Sequence, residues 1–259
     1  METYQFKKDT LSVWVCPSSK TLAQTAAESV EEYLHPIFSK QQTATLVLAT
    51  GNSQLEFLAH LVAREQIDWS RIILFHLDEY LGISADSPAS FRYYLQENLI
   101  KHISPKHFYG IEAEALEPLA ECERYSQLLK QHPIDLCFLG IGSNGHLAFN
   151  EPGVANFKDP YPVKLVKLAE KTRLTQVEQG HFSHLDTVPQ YAYTLTLSTI
   201  LTANKIICLA SGTTKAPIVK QMLTDTITPA CPASGLRFHP NTTLFLDGEA
   251  AIQLEGNLA

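Results

Sequence analysis

The sequence predicts an α/β protein with a mostly parallel, doubly wound (Rossmann-like) sheet and helices on both faces, in a single domain of residues 1–259. Two observations predict this class. Short apolar runs of strand length alternate with longer segments whose apolar residues recur at helical spacing. In addition, four of these runs end in polar motifs, at the place where ligands bind in open α/β sheets.

Composition and charge exclude several classes of protein. Of the 259 residues, 45% are hydrophobic and 18% are charged, which is ordinary for a protein that folds around a core. The net charge of −7 argues against nucleic acid or an anionic membrane as a partner, although a local pocket can still hold a small anion. No apolar run approaches membrane-spanning length, and the five cysteines are scattered without a C-x-x-C pair. We therefore expect a cytoplasmic protein with free, buried thiols and no membrane association.

Strands and helices alternate along the chain. Ser18 or Ser19 is expected to cap the first helix, because a serine there accepts a hydrogen bond from the first turn. The predicted strands cover residues 11–16, 45–49, 72–77, 134–139, 191–197 and 205–209, and a last strand ends at residue 246. The predicted helices cover residues 18–33, 55–62, 87–99 and 116–129, and a further helix begins near residue 215.

The second predicted strand ends in a motif suited to an anion. A helix follows directly after this motif, which consists of Thr50, Gly51, Asn52 and Ser53. Backbone N–H groups at a helix N-terminus and the helix dipole both favour a phosphate. The simpler interpretation is that Ser53 only caps the helix.

Two adjacent carboxylates, Asp78 and Glu79, follow the third predicted strand. In an ordinary loop such residues are solvated surface charges. Burying them without partners is costly, so at a strand end in this architecture they are candidates for proton transfer.

The stretch of residues 134–153 is the most informative part of the chain. Its apolar strand ends at Gly140, Gly142 and Gly145, which let the backbone turn tightly and approach a ligand. His146 and Glu151, two titratable residues, follow immediately. A polar loop with these groups at a strand end is predicted to be a functional site.

The same glycines match the G-x-G-x-x-G fingerprint of dinucleotide-binding proteins. That fingerprint needs a helix that begins at the last glycine, and Pro152 and Gly153 leave room for only about two turns. No acidic residue ends a second strand about twenty residues further on. The sequence therefore argues against nucleotide binding.

The strand at residues 205–209 leads into a further glycine turn and Lys215. A cation near a helix N-terminus is unfavourable, so an anionic ligand beside Lys215 is plausible. The basic residues between 157 and 173 are interpreted as a solvated face. The polar motifs after residues 49, 77, 139 and 209 are expected to gather along one edge of the sheet and form a single pocket.

Four motifs together carry a resemblance to a known family. They are Ala-Thr-Gly-Asn-Ser (49–53), Phe-His-Leu-Asp-Glu-Tyr-Leu-Gly (75–82), the run of residues 139–153 and Ser-Gly-Thr-Thr-Lys-Ala (211–216). In this order they resemble the glucosamine-6-phosphate deaminase/isomerase family over most of the chain. The Asn-Glu-Pro after Gly-His is specific, since the related 6-phosphogluconolactonases lack that carboxylate and the Asp-Glu-Tyr.

The resemblance implies an aldose–ketose isomerisation of a 2-amino-2-deoxyhexose 6-phosphate with loss of ammonia, without a metal or organic cofactor. Asp78 would be the base that moves a proton between C2 and C1. His146 would open the sugar ring, with Glu151 orienting and tuning it. The residues implied in binding the substrate or its phosphate are Thr50, Gly51, Asn52, Ser53, Glu79, Gly142, Gly145 and Lys215.

Two positions depart from the family pattern. Asn144 stands where the well-known bacterial form has an aspartate, and an amide cannot stabilise an imidazolium by charge. Some members share the Asn-Gly-His, so Asn144 is kept among the catalytic residues. Glu178 aligns with an arginine that grips the phosphate in the deaminases, and an anion there would repel the substrate. Either Lys171 or Arg173 replaces that arginine, or the substrate sits differently.

The sequence leaves the C4 stereochemistry of the sugar open. Around Glu178 and at Pro-Ala-Ser (232–234) the chain is closer to the galactosamine-6-phosphate isomerase branch. The competing hypotheses are a sugar-phosphate lactonase, against which Asp78 and Glu151 argue, and a sugar-phosphate-binding regulator that has lost turnover. The expected partner is a small amino-sugar phosphate, and a homo-oligomer is compatible with the sequence.

Overall fold

A computed structural model describes residues 2–254, so the ends of the predicted 1–259 domain lie outside the described residues. The strands are β1 (Tyr4–Lys8), β2 (Leu11–Cys16), β3 (Ala44–Leu48), β4 (Ile72–His76), β5 (Asp78–Tyr80), β6 (His107–Phe108), β7 (Leu136–Gly140), β8 (Val163–Lys167), β9 (Tyr191–Leu195), β10 (Lys205–Ala210) and β11 (Thr242–Asp247). The helices are α1 (Ser19–Phe38), α2 (Asn52–Val62), α3 (Phe91–Asn98), α4 (Pro118–Gln131), α5 (Glu170–Glu178), α6 (Leu197–Ile200), α7 (Ala216–Thr224) and α8 (Gly248–Ala251).

An eight-stranded sheet forms the centre of the fold, in the order β1-β2-β11-β10-β7-β3-β4-β6. Within residues 2–254, its neighbouring strands pair in parallel except β1 and β2, which are antiparallel. Its central strands β3 and β7 are almost completely buried, as apolar strands covered on both faces must be. Helices flank the sheet, and one continuous cluster of buried apolar residues joins them to it. The predicted α/β class with a mostly parallel sheet is confirmed.

Each predicted strand and helix is present, with shifts at its ends. The Thr21 N–H donates to the Ser18 hydroxyl oxygen at 3.2 Å, so Ser18 is the cap of α1. That helix was expected to run through Tyr33 or a little further, and it continues to Phe38 with Pro36 near its C-terminus. A serine also caps α3, where the Tyr93 N–H donates to Ser90.

A second, antiparallel sheet of three strands, in the order β5-β9-β8, corrects the sequence-based prediction in two places. The prediction placed Asp78 and Glu79 in a polar segment after a strand, whereas they form β5. It also interpreted residues 157–173 as a solvated face, although Val163–Lys167 is a strand. Val163 and Val166 are buried while Lys167 is exposed, so the lysines obscured a half-buried strand pattern.

The edge strand β1 was not predicted. Its residues are mostly exposed and polar, because it pairs with β2 along one side only, so it carries no strong apolar signal. The five cysteines are buried and free, which confirms the expected burial of the thiols. Among the described residues, no helix combines the length and apolar character that a bilayer crossing requires.

Candidate active site

The four polar motifs follow β3, β4, β7 and β10, which are neighbours in the sheet order β10-β7-β3-β4. From β3 the chain continues to β4 on one side, and from β7 it returns to this sheet, after β8 and β9 of the second sheet, at β10 on the other side. The loops after β3 and β7 therefore diverge and leave a crevice between them, which is the usual ligand position in open α/β sheets. The strand ends are adjacent, as the sequence predicts.

The loop after β3, residues 50–53, is called the Gly51 loop below. Gly51 has φ +101°, a backbone conformation that favours glycine, and it is the N-cap of α2. Ser53 does not cap this helix, so the simpler interpretation of Ser53 is wrong. Within residues 2–254, the backbone N–H groups of Asn52 and Ser53 have no acceptor, which leaves them free for an anion.

The loop after β7 does not continue as a helix. Leu147 and Asn150 form an antiparallel bridge instead, and Ala148 adopts a left-handed conformation with φ +51°. The helix that a dinucleotide fingerprint requires after Gly145 is therefore missing from this part of the described chain. This geometry agrees with the argument against nucleotide binding.

Gly142 and Gly145 shape this loop, and their N–H groups are already used within it. The Gly142 N–H donates to the His146 carbonyl at 3.0 Å, and the Gly145 N–H donates to the Gly142 carbonyl at 2.9 Å. A Cβ on Gly142 would lie 2.1 Å from the His146 imidazole, so only glycine leaves room for that ring. Gly145 has φ +84° and packs against Cys231. The two glycines thus have a structural role in this loop, and their contact with the substrate stays a prediction.

His146 is held by Asn144. The Asn144 Oδ1 accepts the His146 backbone N–H at 3.1 Å and lies 2.8 Å from the ring Nδ1. An atom that accepts from a backbone N–H must be the amide oxygen, so Nδ1 donates to it and carries the proton. Neutral His146 therefore presents an unprotonated Nε2, which can take up a proton.

Two effects keep this imidazole neutral. Burial, together with the positive charge of Lys215, lowers the pKa of His146 from its ordinary value to about 4. Lys215 donates from Nζ to the Ile141 carbonyl at 2.6 Å, and burial lowers its own pKa. A cation therefore lies at the crevice, beside the loop that carries His146.

Glu151 is not the partner of His146 among the described contacts. Its carboxylate accepts a hydrogen bond from the Thr172 hydroxyl in α5. The prediction that Glu151 orients the imidazole is therefore corrected, because Asn144 occupies the Nδ1 position. Glu151 is buried and joins the loop after β7 to α5. Thr172 carried no sequence signal, since it is one hydroxyl in a mostly exposed helix.

Asp78 lies in β5, opposite Thr194 of β9. It is buried, and its carboxylate has no hydrogen-bond partner within residues 2–254. Burial, and to a lesser extent the charge of Glu79, raises the pKa of Asp78 well above its ordinary value. An unpartnered buried carboxylate with a raised pKa is suited to act as a base.

Glu79 has a different role from the predicted substrate contact. Its side chain is fully buried, and it accepts the Ser90 hydroxyl at 2.7 Å and the Arg92 N–H at 2.9 Å. It also accepts the N–H groups of Tyr80 and Phe91. These bonds occupy both carboxylate oxygens and anchor the N-terminus of α3 to β5, so we assign Glu79 to the structure of the site.

An aromatic cluster forms around Tyr80, two residues beyond Asp78 in β5. Tyr80 packs against Phe91, Phe149 and Phe182 with ring centroids 5.0, 5.5 and 5.5 Å away. These residues come from β5, α3, the loop after β7 and the segment after α5. The sequence did not single out this cluster, because aromatic residues far apart in the chain give no signal of their contact.

The family pattern has a phosphate-binding arginine at the position of Glu178, so the cations near α5 are candidates to replace it. Glu178 is exposed at the end of α5. The Arg173 guanidinium donates to the carbonyls of Leu185 and Val188, which occupies it in the structure. Lys171 is exposed and remains the prediction for that position. Among residues 2–254, no group of three or more His, Cys, Asp and Glu residues is placed to hold a metal ion.

The fold and the site together define an α/β protein whose sheet edge carries a free carboxylate, a neutral imidazole and a helix N-terminus with N–H groups that have no acceptor among residues 2–254. Residues 17–245 match the family described as glucosamine-6-phosphate isomerases/6-phosphogluconolactonase. The chain belongs to this family.

Similar proteins and structures agree with this assignment. The glucosamine-6-phosphate deaminases of Bacillus thuringiensis (strain Al Hakam) and Bacillus anthracis (strain A0248) are each 35% identical over 242 residues, 93% of this chain and 88% of theirs. The structure of a monomeric glucosamine-6-phosphate deaminase has a TM-score of 0.85 at 33% identity and covers 93% of this chain and 99% of that one. A 6-phosphogluconolactonase from Thermotoga maritima, with a TM-score of 0.74, 19% identity and 92% and 99% coverage, shares the fold.

Proposed function

We propose that this protein isomerises and deaminates a 2-amino-2-deoxyhexose 6-phosphate, either glucosamine 6-phosphate or galactosamine 6-phosphate. The products are a ketohexose 6-phosphate and ammonia. The observation that carries the proposal is the unpartnered Asp78 carboxylate beside the crevice whose loop holds a neutral His146. Similarity to glucosamine-6-phosphate deaminases at 35% identity supports the same reaction.

Ring opening is assigned to His146. Its Nε2 accepts the proton of the sugar's O1 hydroxyl, and the imidazolium returns that proton to the ring oxygen as the C1–O5 bond breaks. The bond from Nδ1 to Asn144 holds the ring in the tautomer that this step needs. Because the imidazole is neutral above a pKa of about 4, it is ready to act as a base at neutral pH.

Isomerisation is assigned to Asp78. Its carboxylate removes the proton from C2 of the open-chain sugar while the substrate's own ammonium group gives a proton to the carbonyl O1, which forms an enolamine. Asp78 then returns its proton to C1, and the product is a 2-imino sugar with a hydroxyl group on C1. Water adds to the C2=N bond, both of its protons pass to the nitrogen, and the C2–N bond breaks to give the C2 ketone and ammonium. Burial of Asp78 raises its pKa, and so its strength as a base.

The phosphate is assigned to the Gly51 loop and Lys215. The free N–H groups of Asn52 and Ser53, the N-terminus of α2 and the Lys215 ammonium supply donors and positive charge. Binding the non-reacting end of the sugar in this way orients C1 and C2 towards the reacting groups. Lys171 is assigned as an additional cation in place of the family arginine. A cytoplasmic location, in keeping with the five free cysteines, belongs to the same proposal.

The test is ammonia release by the purified protein with glucosamine 6-phosphate and, separately, galactosamine 6-phosphate. An Asp78→Asn preparation serves as the control for a contaminating deaminase. Release from one sugar assigns the reaction and the C4 stereochemistry together. If both sugars raise the melting temperature but neither releases ammonia, the regulator hypothesis replaces the proposal. If neither sugar releases ammonia or raises the melting temperature, hydrolysis of 6-phosphogluconolactone is the next assay.

A further inference from the structure

The Gly51 loop is held from two sides by side chains that the proposed reaction does not use. The Tyr94 hydroxyl of α3 donates to the Gly51 carbonyl oxygen at 2.8 Å. Gln54, in the first turn of α2, donates from Nε2 to the Ser53 hydroxyl oxygen at 3.1 Å. We propose that Tyr94 and Gln54 are positioning residues that fix this loop in the conformation that binds the substrate's phosphate. The inference rests on the proposed function, because that function assigns the phosphate to this loop.

Tyr94 acts through the peptide that joins Gly51 to Asn52. The carbonyl of Gly51 and the N–H of Asn52 belong to one planar trans unit, so they point in opposite directions. The Gly51 carbonyl oxygen accepts two hydrogen bonds, one from the Tyr94 hydroxyl and one from the backbone N–H of Gln54 at 2.9 Å. With its plane fixed by two bonds, the peptide directs the Asn52 N–H away from both donors. Burial raises the pKa of Tyr94, so its hydroxyl keeps its proton at neutral pH.

Gln54 acts through the Ser53 hydroxyl. The Gln54 Nε2 also faces the Leu139 carbonyl at 3.4 Å, and a carbonyl can only accept, so the nitrogen and not the oxygen of the amide lies on this side. The Ser53 oxygen then accepts from Gln54, which leaves the hydroxyl hydrogen of Ser53 free to donate to a phosphate oxygen.

Stability alone does not explain Gln54. The residue is fully buried, and its Oε1 has no hydrogen-bond partner within residues 2–254. A buried carbonyl oxygen without a donor lowers stability, and an apolar side chain of the same shape would avoid that cost. The amide also lies against the end of β7, since a Cβ on Gly140 would be 3.2 Å from the Ser53 oxygen and 3.7 Å from the Gln54 Nε2. Gln54 thus connects the two sides of the crevice.

The experiment compares Tyr94→Phe and Gln54→Met with the wild-type protein. The control is Tyr93→Phe. It removes a hydroxyl from the same helix, but the Tyr93 side chain makes no hydrogen bond to the Gly51 loop. Calorimetric titration with inorganic phosphate gives the Kd, and steady-state kinetics with glucosamine 6-phosphate or galactosamine 6-phosphate give KM and kcat. Melting temperatures report any general loss of structure.

We expect the Kd for phosphate and the KM to rise about 3- to 10-fold in both variants, with kcat within about twofold of wild type. Tyr93→Phe should leave all three unchanged. A Kd equal to wild type in either variant overturns the role of that residue, even if its melting temperature falls. Wild-type protein that binds phosphate but turns over neither sugar contradicts the proposed function, and the phosphate titrations still decide the inference. Wild-type protein that releases ammonia from a sugar but binds no phosphate overturns the inference and leaves the proposed function standing.

Discussion

The imidazole Nδ1 of His146 donates to the side-chain oxygen of Asn144 at 2.8 Å, and the same oxygen accepts the His146 backbone N–H. One amide therefore fixes both the tautomer and the orientation of the ring. An amide does this without adding charge, so it leaves the imidazole neutral where a carboxylate would favour the imidazolium.

Asn144→Asp should raise the pKa of His146 from about 4 by about one unit or more, because a carboxylate beside Nδ1 stabilises the charged ring. The protonated form cannot accept the O1 proton, so activity falls as pH decreases through this pKa, and the loss should begin at higher pH in the variant. NMR titration of the imidazole and the pH dependence of kcat/KM measure both. Ser143→Asp adds the same charge at an exposed position and should shift the pKa less. Equal shifts in the two variants would contradict the proposed contact.

Gly142→Ala should lower kcat at least about 100-fold with a small change in melting temperature. Its Cβ would lie 2.1 Å from the imidazole, so the ring must move, and a displacement of about 1 Å can cost this much in rate. Gly248→Ala is the control, since its nearest contact is the Pro17 carbonyl oxygen at 3.9 Å. A Gly142→Ala enzyme with normal kcat would show that the position of His146 does not matter for turnover.

Asp78→Asn should lower kcat about 10²- to 10⁴-fold and make the fold more stable at neutral pH. The folded-state pKa of Asp78 is raised, so the folded protein binds more protons than the unfolded chain between the ordinary pKa and the raised one. Stability from this group is therefore present at low pH and lost as pH rises through the folded-state pKa. Urea unfolding at several pH values measures the difference in free energy of unfolding between the variant and the wild type. This difference should decrease as the pH falls towards about 4.

Asp86→Asn removes a carboxylate from an exposed loop and is the control for that measurement. It should leave kcat unchanged. If Asp78→Asn keeps full turnover, another group moves the proton between C2 and C1, and the assignment of the base is wrong.

Glu79→Gln should lower the free energy of unfolding by about 2–4 kcal/mol and leave the Kd for inorganic phosphate unchanged. In the variant, the NH2 group of the glutamine is a donor, and it would face the backbone N–H donors at the start of α3 that now bond to the carboxylate. Glu97→Gln, on the exposed side of the same helix, is the control. Unchanged stability together with weaker substrate binding would restore the substrate contact that the family resemblance implies for Glu79.

Much of the fold followed from local patterns. Apolar runs of strand length, the serine caps at Ser18 and Ser90 and the glycine turns are properties of a few neighbouring residues, and the structure contains them. The edge strand β1 and the lysine-bearing β8 escaped prediction because burial on one side leaves a weak apolar signal. The three-stranded sheet followed from no single segment, since β5 is short and pairs with a strand more than one hundred residues away.

By itself the sequence determined the α/β class and the strand ends where polar motifs gather, because parallel strands place their carboxyl ends at the same edge of a sheet. Only the tertiary structure decided which groups are paired. Asn144 and not Glu151 bonds His146, Glu151 bonds Thr172, and Glu79 accepts N–H groups at the start of α3 while Asp78 stays free. Hydrogen bonds depend on distances of about 3 Å between atoms, and for residues far apart in the chain those distances exist only after folding.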